Sequence, residues 1–519
     1  MTIANAAPEW IALSRMSYGP LPADVARMQR IGLAAYVDEQ LAAPPGDDPL
    51  TQAMLAAARF PIGYPAGANW PAVRENRPLN TLGKPLADLW QLHLGFQAVT
   101  TPWSEVMRAT EEVRVATWIR AVHSSYQLRE MLCEFWHTHF SVDAFADTEI
   151  MATWPAYDRD VIRANALGNF RQLLEAVGTS TAMMFFLNNQ SSRASHPNEN
   201  YARELLELHT LGRPNYYDHQ YASWDQVPLL PTGEPIGFID DDVFGAAKAL
   251  SGWTIDPANG SFLYVPRYHS RAAARVLGID LASFTADLAA GRKVFDLAAY
   301  HPKTAAFVCG KLCQRLYGEN APQSLVDKAV ATWLANSTAP DQIAQVLRTI
   351  LNAPEFLQNP GIKLRRPFEL LVGFLRAVGA VATPSWNLMG GLESTGYRMF
   401  SWPTPDGLPD TNAHWLTTDT TLRTWNLLLG MFGTTILGGQ AVLASQLPAG
   451  TNTVDSILAF WSQAMLGGNL SASSYAALLS DAMSADGIGP AIGGRASAFE
   501  AALRRLVALI ATTPEFVNR

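Results

Sequence analysis

The chain has 519 residues, of which 48 % are hydrophobic and only 16 % charged, against a usual charged share of about 25 %. Its 38 basic and 46 acidic side chains leave a net charge of −8 with no dense Lys/Arg run, which argues against nucleic acid or an anionic membrane surface as a partner. The three cysteines, Cys133, Cys309 and Cys313, are too few and too odd for a disulfide framework, and with no second pair beside Cys309 and Cys313 they read as buried small hydrophobes rather than zinc ligands.

In chain order, the opening MTIANAAPEWIALSR lacks a basic start followed by an apolar run. No secretory signal is expected in the sequence as written, and a cytoplasmic location follows. Residues 9–42 read as two helices split by Tyr18-Gly19-Pro20-Leu21-Pro22, the second running from Ala23 to Leu41. Residues 60–84, rich in Pro, Gly and Asn, read as loop. Helical spacing returns from Leu86 to Phe140, interrupted near Thr101-Pro102, and again over 155–178 and 198–211. The Pro/Gly-rich, aromatic stretch 212–240 leaves no room for a long helix, and a loop of that length is usually functional. Ser261 to Val265 is the best candidate for a short β element. Helices are predicted over 303–317, 323–335, 340–352 and 366–379, then a second long loop over 383–411. The run WNLLLGMFGTTILGG from Trp425 is interrupted by polar residues and glycines and falls short of the ~18 apolar residues of a membrane span. The expectation is an all-α, multi-helix assembly with at most a small β element. Its regions are 1–100 (N-terminal helices and loop), 101–380 (helical core) and 381–519 (C-terminal loop and helices).

Two helices carry the candidate chemistry. In LREMLCEFWHTHF (128–140), at about 100° per residue, Glu130, Glu134 and His137 form one stripe. Leu128, Leu132, Phe135 and Trp136 form the apolar face with His139 in its middle, so the two histidines point in opposite directions. In ENYARELLELHTL (199–211), Glu199, Arg203 and Glu207 form an i, i+4 ladder. Glu204 and His209 flank the apolar face, and His209 sits in the last turn, a position that favours a cation.

Three readings of these helices compete. A divalent metal ion can be held by Glu130, His137 and Glu204, as in di-metal carboxylate bundles, although Glu-x-x-His spacing occurs only once, at Glu134/His137. Alternatively, Glu204 and Glu207 act as acid and base, on a glycan for instance, with His137 as base and Arg203 orienting a carboxylate or binding an anion. The third reading is structural: Glu199, Arg203 and Glu207 as a salt-bridged network, His139 as a satisfied core histidine, His209 as a C-terminal cap. Trp136, Trp253, Trp402, Asp406 and His209 are the ligand-contact candidates, because tryptophan faces stack on sugar rings, although tryptophans are more often core residues. No Gly-x-Ser-x-Gly elbow and no phosphate loop is present.

The segments LREMLCEFWHTHFSV (128–142), NENYARELLELHTLG (198–212), AKALSGWTI (247–255), KLRRPFELLVGFLRAVG (363–379) and WPTPDGLPD (402–410) resemble the bacterial family of domain of unknown function 1800, and the resemblance spans nearly the whole chain. It assigns no activity. It implies export, since members often carry signals, and a partner encoded beside them that resembles alkaline phosphatases and sulfatases. A non-catalytic role as partner or assembly protein for such a co-encoded chain is the alternative to an enzyme. The present sequence departs from the family in lacking a signal, in an apparent insertion over 216–239, and in Ser270 and Arg271 after His269, where His-Asp-x-Gly-x-Lys is usual.

Overall fold

The computed structural model describes residues 7–281, 288–431, 442–484, 487–491 and 496–519. Among these the fold is all-α, with three two-stranded antiparallel hairpins as the only sheets. Helices α1 (Pro8–Met16), α2 (Pro22–Ile31), α3 (Leu33–Leu41) and α4 (Pro49–Ala57) open the chain. Three of the four begin with proline, which has no N–H to leave unbonded at a helix start. The single helix expected over 23–41 is two, because Gly32 between α2 and α3 has φ +82°, a conformation glycine adopts at little cost.

The loop expected over 60–84 instead contains a hairpin, β1 (Arg59–Tyr64) against β2 (Val73–Pro78), in register from Arg59↔Pro78 to Tyr64↔Val73. Phe60 and Ile62 point inward while Arg59, Pro61 and Gly63 face solvent, the two-residue period of a half-buried strand.

The centre is built from α5 (Leu86–Gln97), α6 (Trp103–His123), α7 (Gln127–His139) and α8 (Thr148–Ala156). Pro155 lies inside α8, and the chain continues as a π-helical segment over Tyr157–Arg163. After α9 (Phe170–Gly178) and α10 (Thr181–Phe186), α11 (Glu199–Glu204) passes into a second π turn, Leu205–His209. The aromatic stretch 212–240 holds only short 3-10 turns before α12 (Asp240–Leu250). It is tied down by Arg203 Nη1 to Asp240 Oδ1 at 2.9 Å and by Tyr216 OH donating to the same oxygen at 2.7 Å. The expected β element is β3 (Trp253–Ile255) paired with β4 (Phe262–Tyr264), followed by the short β5 (Arg275–Val276) and β6 (Ile279–Asp280).

Helix α13 (Ala289–Ala299) was not predicted, whereas α14 (Pro302–Leu316), α15 (Gln323–Ala335), α16 (Gln342–Leu351) and α17 (Pro367–Ala377) follow the predicted spans closely. The loop expected over 383–411 contains α18 (Trp386–Ser394). Beyond it come α19 (Asn412–Trp415), α20 (Thr418–Gly430), α21 (Val454–Leu466), α22 (Ala472–Ala482), α23 (Ile488–Ala491), α24 (Ala496–Ile510) and α25 (Pro514–Val517). Residues 432–439 of the apolar run from Trp425 lie outside the described residues. Among the described residues no helix is long and apolar enough to cross a membrane.

One core cluster gathers Trp136, Trp154, Phe170, Trp253 and Trp333. A second joins Tyr18, Phe60, Trp118 and Met131 to Phe368, Tyr397 and Trp461 from the C-terminal third. Helix α7 contributes to both, Trp136 to the first and Met131 to the second, so its position is fixed from two sides. The three cysteines are buried and free.

Candidate functional site

The charged stripe predicted on α7 exists, but each member has its own partner. Glu130 is held by Arg163 through two contacts of 2.8 Å and by Arg129. Glu134 accepts from Arg315 Nη2 at 2.7 Å, Arg366 Nη2 at 2.6 Å and Tyr397 OH at 2.8 Å. His137 Nε2 lies 3.0 Å from Asp158 Oδ1. Burial alone would raise the Asp158 carboxyl, but the His137 hydrogen bond and the charges of Arg163, His137 and Arg120 outweigh it and hold it at about 2. The ligand set Glu130, His137 and Glu204 is therefore not assembled: among the described residues no three His, Cys, Asp or Glu side chains gather as a metal site.

His139 points the other way, as helical spacing requires. It is buried, its Nε2 donates to the His209 carbonyl at 3.1 Å, and its Nδ1 accepts from Lys311 Nζ at 3.0 Å. Burial first, then the Lys311 charge, holds its imidazole well below the usual range, so it is neutral. Lys311 comes from α14. Burial pulls its ammonium down to about 8, against the attraction of Asp410 and Asp406.

These groups line a cavity of about 250 Å³ with Gln314, Arg315, Arg366 and the segment Asp406–Asp410. Its inner wall is a buried ion network. Arg366 Nη2 lies 2.8 Å from Glu369 Oε1, and Arg315 bonds the same carboxylate. Lys363 Nζ lies 2.9 Å from Asp410 Oδ1. Arginine suits such a place because its planar fork bonds two carboxylates at once. The outer wall is Asp406 to Asp410 of the loop 402–410, in which Asp406 accepts from Trp402 Nε1 at 3.3 Å and from Thr404 Oγ1. This loop lies against the end of α7 because Gly407 has φ +78° and no side chain; a Cβ there would stand 2.0 Å from the Thr138 carbonyl oxygen.

The second predicted helix changes more. The π turn at 205–209 bonds i to i+5, which breaks the 100° stepping used to place its faces. Arg203 turns to Asp240 and Tyr216, and Glu207 lies 3.5 Å from Arg213, so the ladder Glu199–Arg203–Glu207 does not form. Glu204 is partly buried. Burial, then Glu207, then Asp406 raise its carboxyl to about 7 despite Arg203. His209 is not a cationic cap: it is fully buried, neither ring nitrogen has a hydrogen-bond partner among the described residues, and burial with the Lys311 charge lowers it to about 3. Trp136 and Trp253 are fully buried in the core, Trp136 donating to the Ala166 carbonyl at 2.9 Å, so neither has a face for a ligand. Asp406 lines the cavity, whereas the half-buried Trp402 lines a separate small pocket with His137 and Phe400. His269 is buried against the Ser251 carbonyl at 2.9 Å, in the β3–β4 region.

Sequence reasoning missed Lys311 and Asp158, and took Arg366, Glu369 and Asp410 only as parts of motifs. The visible signal was charge within apolar helix: Glu369 inside PFELLVGFL, and Lys311 and Arg315 inside VCGKLCQRL.

The family described as a protein of unknown function, DUF1800, matches residues 11–518. The chain belongs to this family. No curated protein and no solved structure matches it. Three of the segments quoted above line the cavity: 128–142 supplies Phe135, Thr138 and His139, 363–379 supplies Arg366, and 402–410 supplies Asp406 to Asp410, with Glu204 of 198–212 close enough to feel the charge of Asp406.

Proposed function

We propose that the chain is an acid–base hydrolase whose site lies between Glu204 and the 402–410 loop. Glu204 is the proton donor and Asp406 the partner carboxylate. The observation that carries this reading is Glu204 itself: a partly buried carboxyl, close to Glu207 and Asp406, that holds its proton up to about pH 7. A general acid works best with a pKa near the working pH, and two carboxyl groups in unlike environments divide the acid and base roles. Asp406 is exposed and accepts two hydrogen bonds, which presents it as an acceptor to a ligand or a water. Trp402, half-buried and hydrogen-bonded to Asp406, sets an aromatic ring beside that carboxylate, which supports a glycan as the class of substrate to try first. Lys311 and His139 bind and orient from the inner side.

The test is a panel of fluorogenic glycosides and esters offered to the full chain and to Glu204→Gln and Asp406→Asn. Removing a general acid or base costs roughly 10²–10⁴-fold in rate, so turnover should fall at least 100-fold in each variant while the far-ultraviolet circular dichroism stays unchanged. Turnover in Glu204→Gln equal to the parent would remove Glu204 from the mechanism.

A further inference from the structure

We propose that the cavity floored by Lys311, Arg315 and Arg366 binds an oxyanion, the carboxylate or phosphate group of a small polar ligand. This deepens the acid–base reading, on which it rests for the idea that the cavity and Glu204 serve one ligand.

The floor carries more positive charge than its partners neutralise. Arg315, Arg366, Lys363, Arg519 and Lys311 gather around Glu134, Glu369, Asp410 and Asp406, five cations to four carboxylates. A buried surplus of charge is costly unless a counter-charge joins it. Arg315 lines the cavity, but its guanidinium is paired with Glu134 and Glu369 and its unpartnered Nε is itself buried, so it contributes charge rather than a free donor. Lys311 forms no ion pair among the described residues; it gives one N–H to His139 Nδ1, and an ammonium has three. The cationic donor with N–H groups to spare at the cavity is thus the half-buried Lys311 ammonium, which suits an anion and opposes a divalent cation. About 250 Å³ accommodates a phosphate or a sugar acid. Asp406, exposed at the rim, carries the same sign of charge as an anion in the cavity and so weakens its binding.

The test is isothermal titration calorimetry of the full chain at pH 7 with inorganic phosphate and with D-glucuronate, against chloride of equal ionic strength. At least one of the two should bind saturably with one site per chain. Lys311→Met should weaken it at least tenfold, and Asp406→Asn, a change at an exposed position, should tighten it at least threefold. Preference for phosphate assigns a phosphorylated ligand, preference for glucuronate a sugar acid; either supports the proposal. It is overturned if neither anion binds saturably, or if Lys311→Met binds as the parent does. Should Lys311→Met fail to fold, Asp406→Asn decides alone, and unchanged or weaker binding overturns it. The readout is binding of inert anions, whereas the acid role of Glu204 is read in turnover. Loss of turnover in Glu204→Gln without anion binding therefore leaves the acid standing and removes this proposal, and the converse result does the reverse.

Discussion

His139 Nε2 donates to the carbonyl of His209 while its Nδ1 accepts from Lys311. One neutral imidazole thereby joins the C-terminal ends of α7 and of the 205–209 turn to α14. Both histidines are kept uncharged, and this has a measurable cost in acid. His209 falls to about 3 in the folded chain, against roughly 6.5 when unfolded. Below pH 6.5 the unfolded state binds the extra proton, so stability is full above that value and is lost as pH falls toward 3. The slope is about 1.4 kcal/mol per pH unit for one histidine. His209→Phe should lose less stability than the parent between pH 7 and pH 5, as read from urea unfolding midpoints. Parallel losses in the two proteins would show that His209 does not titrate as described.

Glu134 holds Arg315, Arg366 and Tyr397 together in the core. Glu134→Ala should destabilise by about 3–5 kcal/mol, because it strands buried charges. Asp419, paired with Arg423 on the exposed side of α20 at 2.7 Å, is the control: Asp419→Ala should cost less than about 0.5 kcal/mol. Chemical denaturation of the two variants side by side checks the contrast.

Gly407→Ala places a methyl group against the Thr138 carbonyl and asks alanine to hold φ +78°. Strain of this kind costs about 1–3 kcal/mol, and the loop can relieve it by lifting. Hydrogen exchange in 402–410 should rise while α6 and α7 keep their protection. Unaltered exchange in the loop would mean that the contact is not what seats it.

Glu204 titrates at about 7 folded against about 4.5 unfolded, the folded state favouring the proton. Folding is unaffected by this group below pH 4.5, is progressively weakened as pH rises from 4.5 to 7, and carries the full penalty above 7. Glu204→Gln should therefore be more stable than the parent at pH 8 and equal to it at pH 4. Any activity that uses Glu204 as acid should decline as pH rises through about 7.

The all-α class and many helix spans were legible because apolar residues recur at helical spacing; α15 lies over the same residues, 323–335, as predicted. The hairpin at 59–78 was not, since Phe60 and Ile62 are its only fully buried alternate positions and prolines and glycines surround them. The opposed directions of His137 and His139 followed from α7 being regular. The faces of 199–211 did not follow, because a π turn adds a residue to the turn without a side-chain signature. Lys311 and His139 are 172 residues apart, and Arg366 and Glu134 are 232 apart. Pairings at that range leave no local pattern, so the charged floor of the cavity appears only when α7, α14 and α17 pack together.

The contact between Gly407 and the Thr138 carbonyl has a mechanical meaning. The loop rests on backbone, so it registers where α7 lies and ignores which side chains α7 carries. A slip of that helix along its axis would move Asp406 and Asp410 with it, opening or narrowing the cavity mouth as a lever does, and the packing of α7 into both core clusters is what keeps that lever still.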